Sequence, residues 1–289
     1  MSDLLFNNLR TFEDASAKPH EYLYIRKIKP ACVQLAEPIG DEVSFIVVDL
    51  ETTGLDLSEE VIEVGAVKVH FSPSMQKVTR IDSILNQLEE PSKPIPEDAT
   101  AVNGITDADV KGHRFDDNTI YDYFSDVEFV VAHGASFDRP HFDNRFPELA
   151  GLPWTCSLRD IPWRELGHSS AALEFLAYKH GFAYHAHRAS SDAFATALLI
   201  AQQTSYLGYL LTALANVQYK ICAFGSPFEV KDLLKARDYE WEATDRYWHI
   251  TVGDEDAKCN ELDYLEELYG GFENAGVTLI DATIRFTRA

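Results

Sequence analysis

The apolar and polar positions of this chain change period several times, and each change marks an expected element. From Val43 to Leu50 the residues are almost continuously apolar, as in a strand buried on both faces. A turn at Gly54 separates this run from another at Val61 to His70, and a third follows around Val78 to Leu88. Runs of this length joined by short turns predict successive antiparallel strands. The segment Glu89-Glu90-Pro91-Ser92-Lys93-Pro94-Ile95-Pro96 reads as a connecting loop, because its three prolines remove backbone donors and fix φ.

Helical stretches are expected near Asp107 and from Asp117 to Ser125, then a strand at Glu128 to Ala132 and helices near Ala171 to His180 and Ser190 to Gln203. Strands first and helices interleaved later predict an α/β layer fold. Residues 1–42 lack a long period and read as an N-terminal extension, in which Tyr22 to Ile28 alternates well enough for a short strand or extended arm. Beyond about Tyr206 the character changes. Phe224-Gly225-Ser226-Pro227 forms a break, and Tyr239, Trp241, Tyr247 and Trp248 flank a polar turn, so residues 216–289 are expected to form a small α+β module.

Composition narrows the class. With 289 residues and 46% apolar content the chain is long enough for one large core and a smaller module. No apolar stretch approaches the roughly 20 residues that cross a bilayer, and the start lacks a basic leader before a cleavable apolar segment, so a soluble cytoplasmic protein is expected. Cys32, Cys156, Cys222 and Cys259 are far apart, which predicts buried thiols and neither a zinc site nor a disulfide framework. The formal net charge of -22 argues against tight nonspecific binding of long duplex DNA. It is compatible with an enzyme whose metal ions supply the positive charge and whose substrate is a short single-stranded end. Part of the excess is local, between Asp254 and Glu267, where a solvated helix face or loop is the simpler reading.

Candidate chemistry is concentrated at the end of the first apolar run. Asp49 and Glu51 are two residues apart on a strand and share a face. Carboxylates held that close in a partly desolvated place raise each other's pKa, and a hard divalent cation is the natural counter-charge. Asp138 follows the strand and small-residue turn of Glu128 to Phe137, a position that also suits a helix N-cap. His187 precedes Asp192 by five residues, with Asp192 in the expected first turn of the next helix. His133, His141, His168, His180 and His185 make no convincing metal spacing and are expected in ordinary loop or helix roles.

Together these segments resemble the DEDDh-type 3'-5' exonucleases of the DnaQ-like superfamily, the proofreading and exonuclease X-like enzymes. Asp49 and Glu51 in Asp-Leu-Glu-Thr-Thr-Gly match the first motif, Asp138 in Ala-His-Gly-Ala-Ser-Phe-Asp the second, and His187 with Asp192 the third. Ala101 to Thr106 and Ala172 to Leu176 resemble two further family segments, and the likeness spans about Val43 to Tyr206. Asn103 stands where many relatives carry histidine, and Gly134 where many carry asparagine; neither is a metal ligand in the family.

The resemblance implies a ribonuclease H-like mixed five-stranded sheet flanked by helices, with residues 43–208 as the exonuclease domain. It implies two Mg2+ or Mn2+ ions held by Asp49, Glu51, Asp138 and Asp192, with His187 as general base. Thr52, Thr53, Gly54, Leu55, Asn103, Ile105 and Phe137 are expected around the terminal nucleotide. Leu55 is as well explained by packing at a turn as by wedging against a base, and Phe137 is better explained by packing. In the C-terminal module the aromatic residues, Lys231, Lys235, Arg237 and Arg246 are more simply read as building a core than as a base-stacking surface. The expected activity is release of nucleoside monophosphates from single-stranded DNA 3' ends, in repair or proofreading. RNA trimming and a polymerase-associated interaction subunit are the alternatives.

Overall fold

The computed structural model describes residues 25–287. Tyr22, Leu23 and Tyr24 of the expected N-terminal arm lie outside the described residues. The strands are β1 (Arg26–Lys27), β2 (Val33–Gln34), β3 (Val43–Thr52), β4 (Val61–Ser72), β5 (Lys77–Leu88), β6 (Val130–Ala132), β7 (Trp154–Cys156), β8 (Phe182–Ala183), β9 (Gln218–Ala223), β10 (Glu240–Glu242), β11 (Tyr247–Val252) and β12 (Ala275–Ile280). Strands β2 to β7 form one sheet in the order β2-β5-β4-β3-β6-β7. The long strands β3, β4 and β5 pair antiparallel, whereas β6 and β7 join β3 in parallel. Three long strands of the expected sheet were legible as apolar runs. The three-residue β7 and the two-residue edge strand β2 are too short to carry a period.

Alternation along β3 divides its work between two faces. Ile46, Val48 and Leu50 enter a core shared with Ile120, Phe124, Phe142 and Phe146 from the helices Asp117–Phe124 and Ala135–Arg145. The odd-numbered residues, Asp49 and Glu51 among them, belong to the other face. There the helix Ala189–Ala201, buried along most of its length, packs on β3, β4 and β5. Gly65 permits that approach. It lies directly opposite Asp49 in the β3–β4 ladder, and a Cβ at this position would fall 2.1 Å from the backbone of Ala189 and Ser190. Backbone cannot move aside as a flexible side chain can, so only hydrogen fits there.

The described residues divide into two compact units, one running to Ala213 and including 286–287, the other Leu214–Arg285. In the second unit the chain order is strand, helix, two strands, helix, strand: β9, Lys231–Ala236, β10, β11, Glu255–Tyr269, β12. Its sheet runs β10-β11-β9-β12, fully antiparallel, which is the split βαβ arrangement of ferredoxin-like modules. Ile221, Ala223, Leu234, Tyr239 and Leu265 form its core, with Trp248 and Ile250 against them. Trp248 is therefore a packing residue, with the half-exposed Trp241 5.5 Å from it ring to ring. Arg237 is engaged by Glu261 at 2.9 Å and lies over the Tyr264 ring. The acidic run beginning at Asp254 forms the helix Glu255–Tyr269, capped where the Asp254 side chain accepts from Ala257 N–H. Among the described residues no helix is long and apolar enough to cross a membrane. All four cysteines are free; Cys156 and Cys222 are buried as expected, but Cys32 and Cys259 are exposed because their segments lie at the surface.

Replacing Gly65 with alanine is expected to displace the Ala189–Ala201 helix, costing about 1–3 kcal/mol or more. Thermal unfolding of Gly65→Ala checks this. An unchanged midpoint would show that the helix tolerates a wider separation from β4.

Candidate active site

The carboxyl ends of the parallel pair β3 and β6 open on the same side of the sheet, the usual location of ligand sites in open α/β sheets. Asp49 and Glu51 arrive on β3, and Asp192 arrives in the first turn of Ala189–Ala201. One ligand oxygen from each of these three lies within 4.8 Å of the others. Among the described residues this is the group with metal-ligand spacing, and no histidine or cysteine joins it.

Asp138 stands beside that group. It is 3% exposed, and its Oδ1 accepts the Leu50 N–H at 3.2 Å, which pins the helix Ala135–Arg145 to β3 between the two carboxylates of the first motif. It is not the N-cap that its position near Pro140 suggested. Gly134 takes the cap position, so Asp138 falls inside the first turn. A Cβ on Gly134 would meet Asp138 Oδ2 at 3.5 Å, an ordinary contact.

Asp192 is held by donors on both of its oxygens. The Tyr184 hydroxyl donates to its Oδ1 at 3.1 Å, and the Arg188 N–H donates to its Oδ2 at 3.0 Å. His187 lies one residue before Arg188, exposed, with φ at 60°, a backbone state that costs a non-glycine residue energy and persists only where its surroundings enforce it. The enforcing contact is the pair formed by Arg188 and the fully buried Glu63. Arg188 Nη2 and Nε donate to the two oxygens of Glu63 at 2.8 and 3.1 Å, and the Ala189 N–H adds a third bond at 3.1 Å. Glu63 sits opposite Glu51 on β4. Sequence reading missed Glu63, although a charged residue inside the apolar run Val61-Ile62-Glu63-Val64 was a usable signal. Tyr184, in a short loop, offered none.

The concentration of negative charge is visible in the titration of these groups. Asp49 is pushed well above the usual carboxylate range, first by burial and then by Asp138, Asp192 and Glu51. Glu51 rises to about 8, through burial and the charges of Asp192 and Glu63, against a lowering hydrogen bond from Asn103. Asp138 rises to about 7, again mainly through burial. Asp192 is raised by burial despite its hydrogen bonds and the opposing charge of His187. An all-oxygen donor set that cannot stay ionised alone suits a hard divalent cation, so these residues fit the expected ions.

The expected substrate-contact residues separate into groups. Leu55 is 83% exposed, so packing at the turn does not account for it. Thr52 and Thr53 are buried, and their hydroxyls close the loop by donating to Gly54 O and Glu59 Oε2. Gly54 faces Glu59, whose Cγ would lie 3.0 Å from an added Cβ. Asn103 is buried and turns its side chain between Glu51 and the Ile105 N–H. Ile105 is packed in a small core with Ile62, Ile95 and Val110, so its side chain does not present a surface; its N–H orients Asn103. Phe137 is half-buried and packs against His141, ring centroids 4.6 Å apart and tilted by 39°. His141 bridges Phe137 O and Asp56 O, and His133 bridges Ser157 and Ala171, so both are structural.

With this geometry in place, the sequence comparison decides the family: the exonuclease family RNase T matches residues 46–200, more than half of the chain. The chain belongs to that family. The match encloses all five acidic and imidazole positions, from Asp49 to Asp192. The chain is 28% identical over 197 residues to a DNA polymerase III PolC-type of Thermotoga maritima, covering 64% of this chain and 14% of that protein. It is 28% identical over 176 residues to exodeoxyribonuclease 10 of Escherichia coli K12, covering 59% of this chain and 73% of that protein. The chain thus spans only a small part of the PolC-type polymerases it matches. Among solved structures, exonuclease X in complex with 5' overhanging duplex DNA aligns with 58% of this chain and 92% of its own, at 24% identity and a TM-score of 0.43.

The raised carboxylate pKa values set a sign for pH dependence. The folded metal-free protein retains protons that the unfolded chain has released, so this contribution to stability is full below the ordinary carboxylate range and is lost as pH rises through about 7 to 8. In EDTA the unfolding temperature should therefore fall from about pH 5.5 to about 8.5. Mn2+ should recover part of the loss, and Asp49→Asn should flatten the slope. An identical slope in Asp49→Asn, with no effect of Mn2+, would contradict this origin.

Proposed function

We propose that the chain is a metal-dependent 3'-5' exonuclease that releases nucleoside monophosphates from single-stranded DNA ends. The observation that carries this reading is the convergence of Asp49, Glu51 and Asp192 within 4.8 Å, beside buried Asp138, in a chain of the exonuclease family. Asp49, Glu51, Asp192 and Asp138 would hold two Mg2+ or Mn2+ ions. When bound, such ions stabilise charge on the attacking and leaving oxygens of an in-line displacement at phosphorus.

The residues of the chain do the rest. His187, exposed at the rim and held beside Asp192, takes the proton of the attacking water. Tyr184 and the Arg188 N–H keep Asp192 in one orientation, and the Asn103 side chain steadies Glu51. Leu55, exposed at the turn after β3, is free to wedge against the base of the terminal nucleotide. The Arg188–Glu63 pair fixes the junction between His187 and the first helical turn that carries Asp192.

DNA is preferred over RNA because the curated relatives described above are named for DNA: a DNA polymerase and an exodeoxyribonuclease. The PolC-type likeness also supports work alongside a polymerase in proofreading or repair. Four free thiols agree with the cytoplasm as its place of action.

A 5'-labelled single-stranded DNA oligomer with Mg2+ or Mn2+ should be shortened stepwise from its 3' end, with no shortening in EDTA or with Asp49→Ala. Faster trimming of a matched RNA would reverse the DNA assignment. His187→Asn, which tolerates the left-handed backbone, should keep Mn2+ affinity and the unfolding temperature while lowering kcat by about 10²–10⁴-fold. Undiminished kcat in that variant would remove His187 as the base.

A further inference from the structure

The exonuclease reading leaves unused one face of the C-terminal sheet. Both helices of the second unit, Lys231–Ala236 and Glu255–Tyr269, supply core residues to the side occupied by Ile221, Ala223 and Ile250. By alternation and register the opposite side carries Lys220 and Cys222 on β9, Tyr247, His249 and Thr251 on β11, and Gly276 and Thr278 on β12. Thr251 and Thr278 are exposed, and Phe224, which follows β9, is 43% exposed.

Three rings form a row across that side. Phe224 and Tyr247 are 4.9 Å apart, and Tyr247 and His249 are 5.9 Å apart. Gly276 makes the row possible, since a Cβ there would fall 2.5 Å from Phe224 Cε2. Cations accompany the rings. Lys220 Nζ lies 5.6 Å from the Tyr247 ring centroid and donates to its hydroxyl at 3.3 Å. Arg246 is exposed at the hairpin that leads into Tyr247. The edge strand places carboxylates on this side, where Glu240 pairs with His249 and Glu242 with Tyr247; Glu242 also accepts the Thr244 N–H at 2.8 Å, and exposed Asp245 precedes Arg246 in the hairpin. The longer acidic run is carried by the helix Glu255–Tyr269 and belongs to the other side.

Rings on the central strands of such a sheet, with cations beside them, suit the flat faces of unpaired bases and the phosphates that join them. We propose that this sheet face binds single-stranded DNA, with bases stacked on Phe224, Tyr247 and His249 and phosphates met by Lys220 and Arg246. The choice of DNA rests on the exonuclease reading above. The face is a second nucleic-acid site, separate in sequence from the metal carboxylates, and it gives the enzyme affinity for a strand independently of the ions at the 3' end. Stacking without a broad basic field fits a protein of net charge -22.

The test is fluorescence anisotropy of a labelled single-stranded oligothymidylate of about 20 nucleotides with the full chain in EDTA, where hydrolysis is blocked. Tyr247→Ala combined with His249→Ala should raise Kd about tenfold or more. Arg246→Glu, exposed and outside the strands, should raise Kd several-fold and lower the dependence of binding on salt. Both variants should retain Mn2+-dependent hydrolysis of the p-nitrophenyl ester of thymidine 5'-monophosphate, a substrate with one base. Wild-type affinity in either variant would overturn the proposal, and tighter ring-dependent binding of a matched RNA would overturn its DNA assignment. Ring-dependent binding by a chain that hydrolyses nothing would instead sink the exonuclease reading and leave this surface standing.

Discussion

Electrostatic repulsion among a few buried oxygens is the constraint to which the rest of the first unit answers. Asp49, Glu51, Asp138 and Asp192 come from three separate segments, and each is held where ionisation is unfavourable without a counter-charge. Bringing them together takes a rigid scaffold, and the scaffold is local and specific. A bare hydrogen at Gly65 lets one helix touch the sheet, a peptide N–H at Leu50 fastens Asp138, and a buried glutamate across the sheet anchors the loop before Asp192. The same arrangement that strains the metal-free protein prepares it for divalent ions.

Much of this was legible from residue order because the chemistry is carried by short motifs at the ends of apolar runs. The period of two in β3 placed Asp49 and Glu51 on one face, and the helical run after Ser190 placed Asp192 in a first turn. What sequence could not supply was information about contacts made by single atoms across long separations. Tyr184 belongs to no periodic segment, and its importance lies only in where its hydroxyl ends. Asp138 was misplaced as a cap because the helix is capped at Gly134, four residues earlier than the expected boundary. Ile105 looked like a contact residue from its neighbours in the motif, but side-chain burial is a property of the packed chain.

The C-terminal unit shows the same limit in another form. Trp241 and Trp248 drew attention by size, yet Trp248 packs among the helices while the smaller rings of Tyr247 and His249 take the opposite side. A shift of one residue along a strand exchanges core for surface, and composition does not reveal which of two adjacent aromatic residues faces out.

The pairing of Arg188 with Glu63 also bears on the order in which the chain can assemble. It joins residues 125 positions apart, and the helix that carries Asp192 begins immediately after it. No ribosome-bound fragment that ends before this helix can possess the full carboxylate cluster, however well its early strands have folded. Contacts of such long sequence separation form slowly because a large loop must close first. Assembly of the carboxylate cluster is thereby tied to completion of the domain.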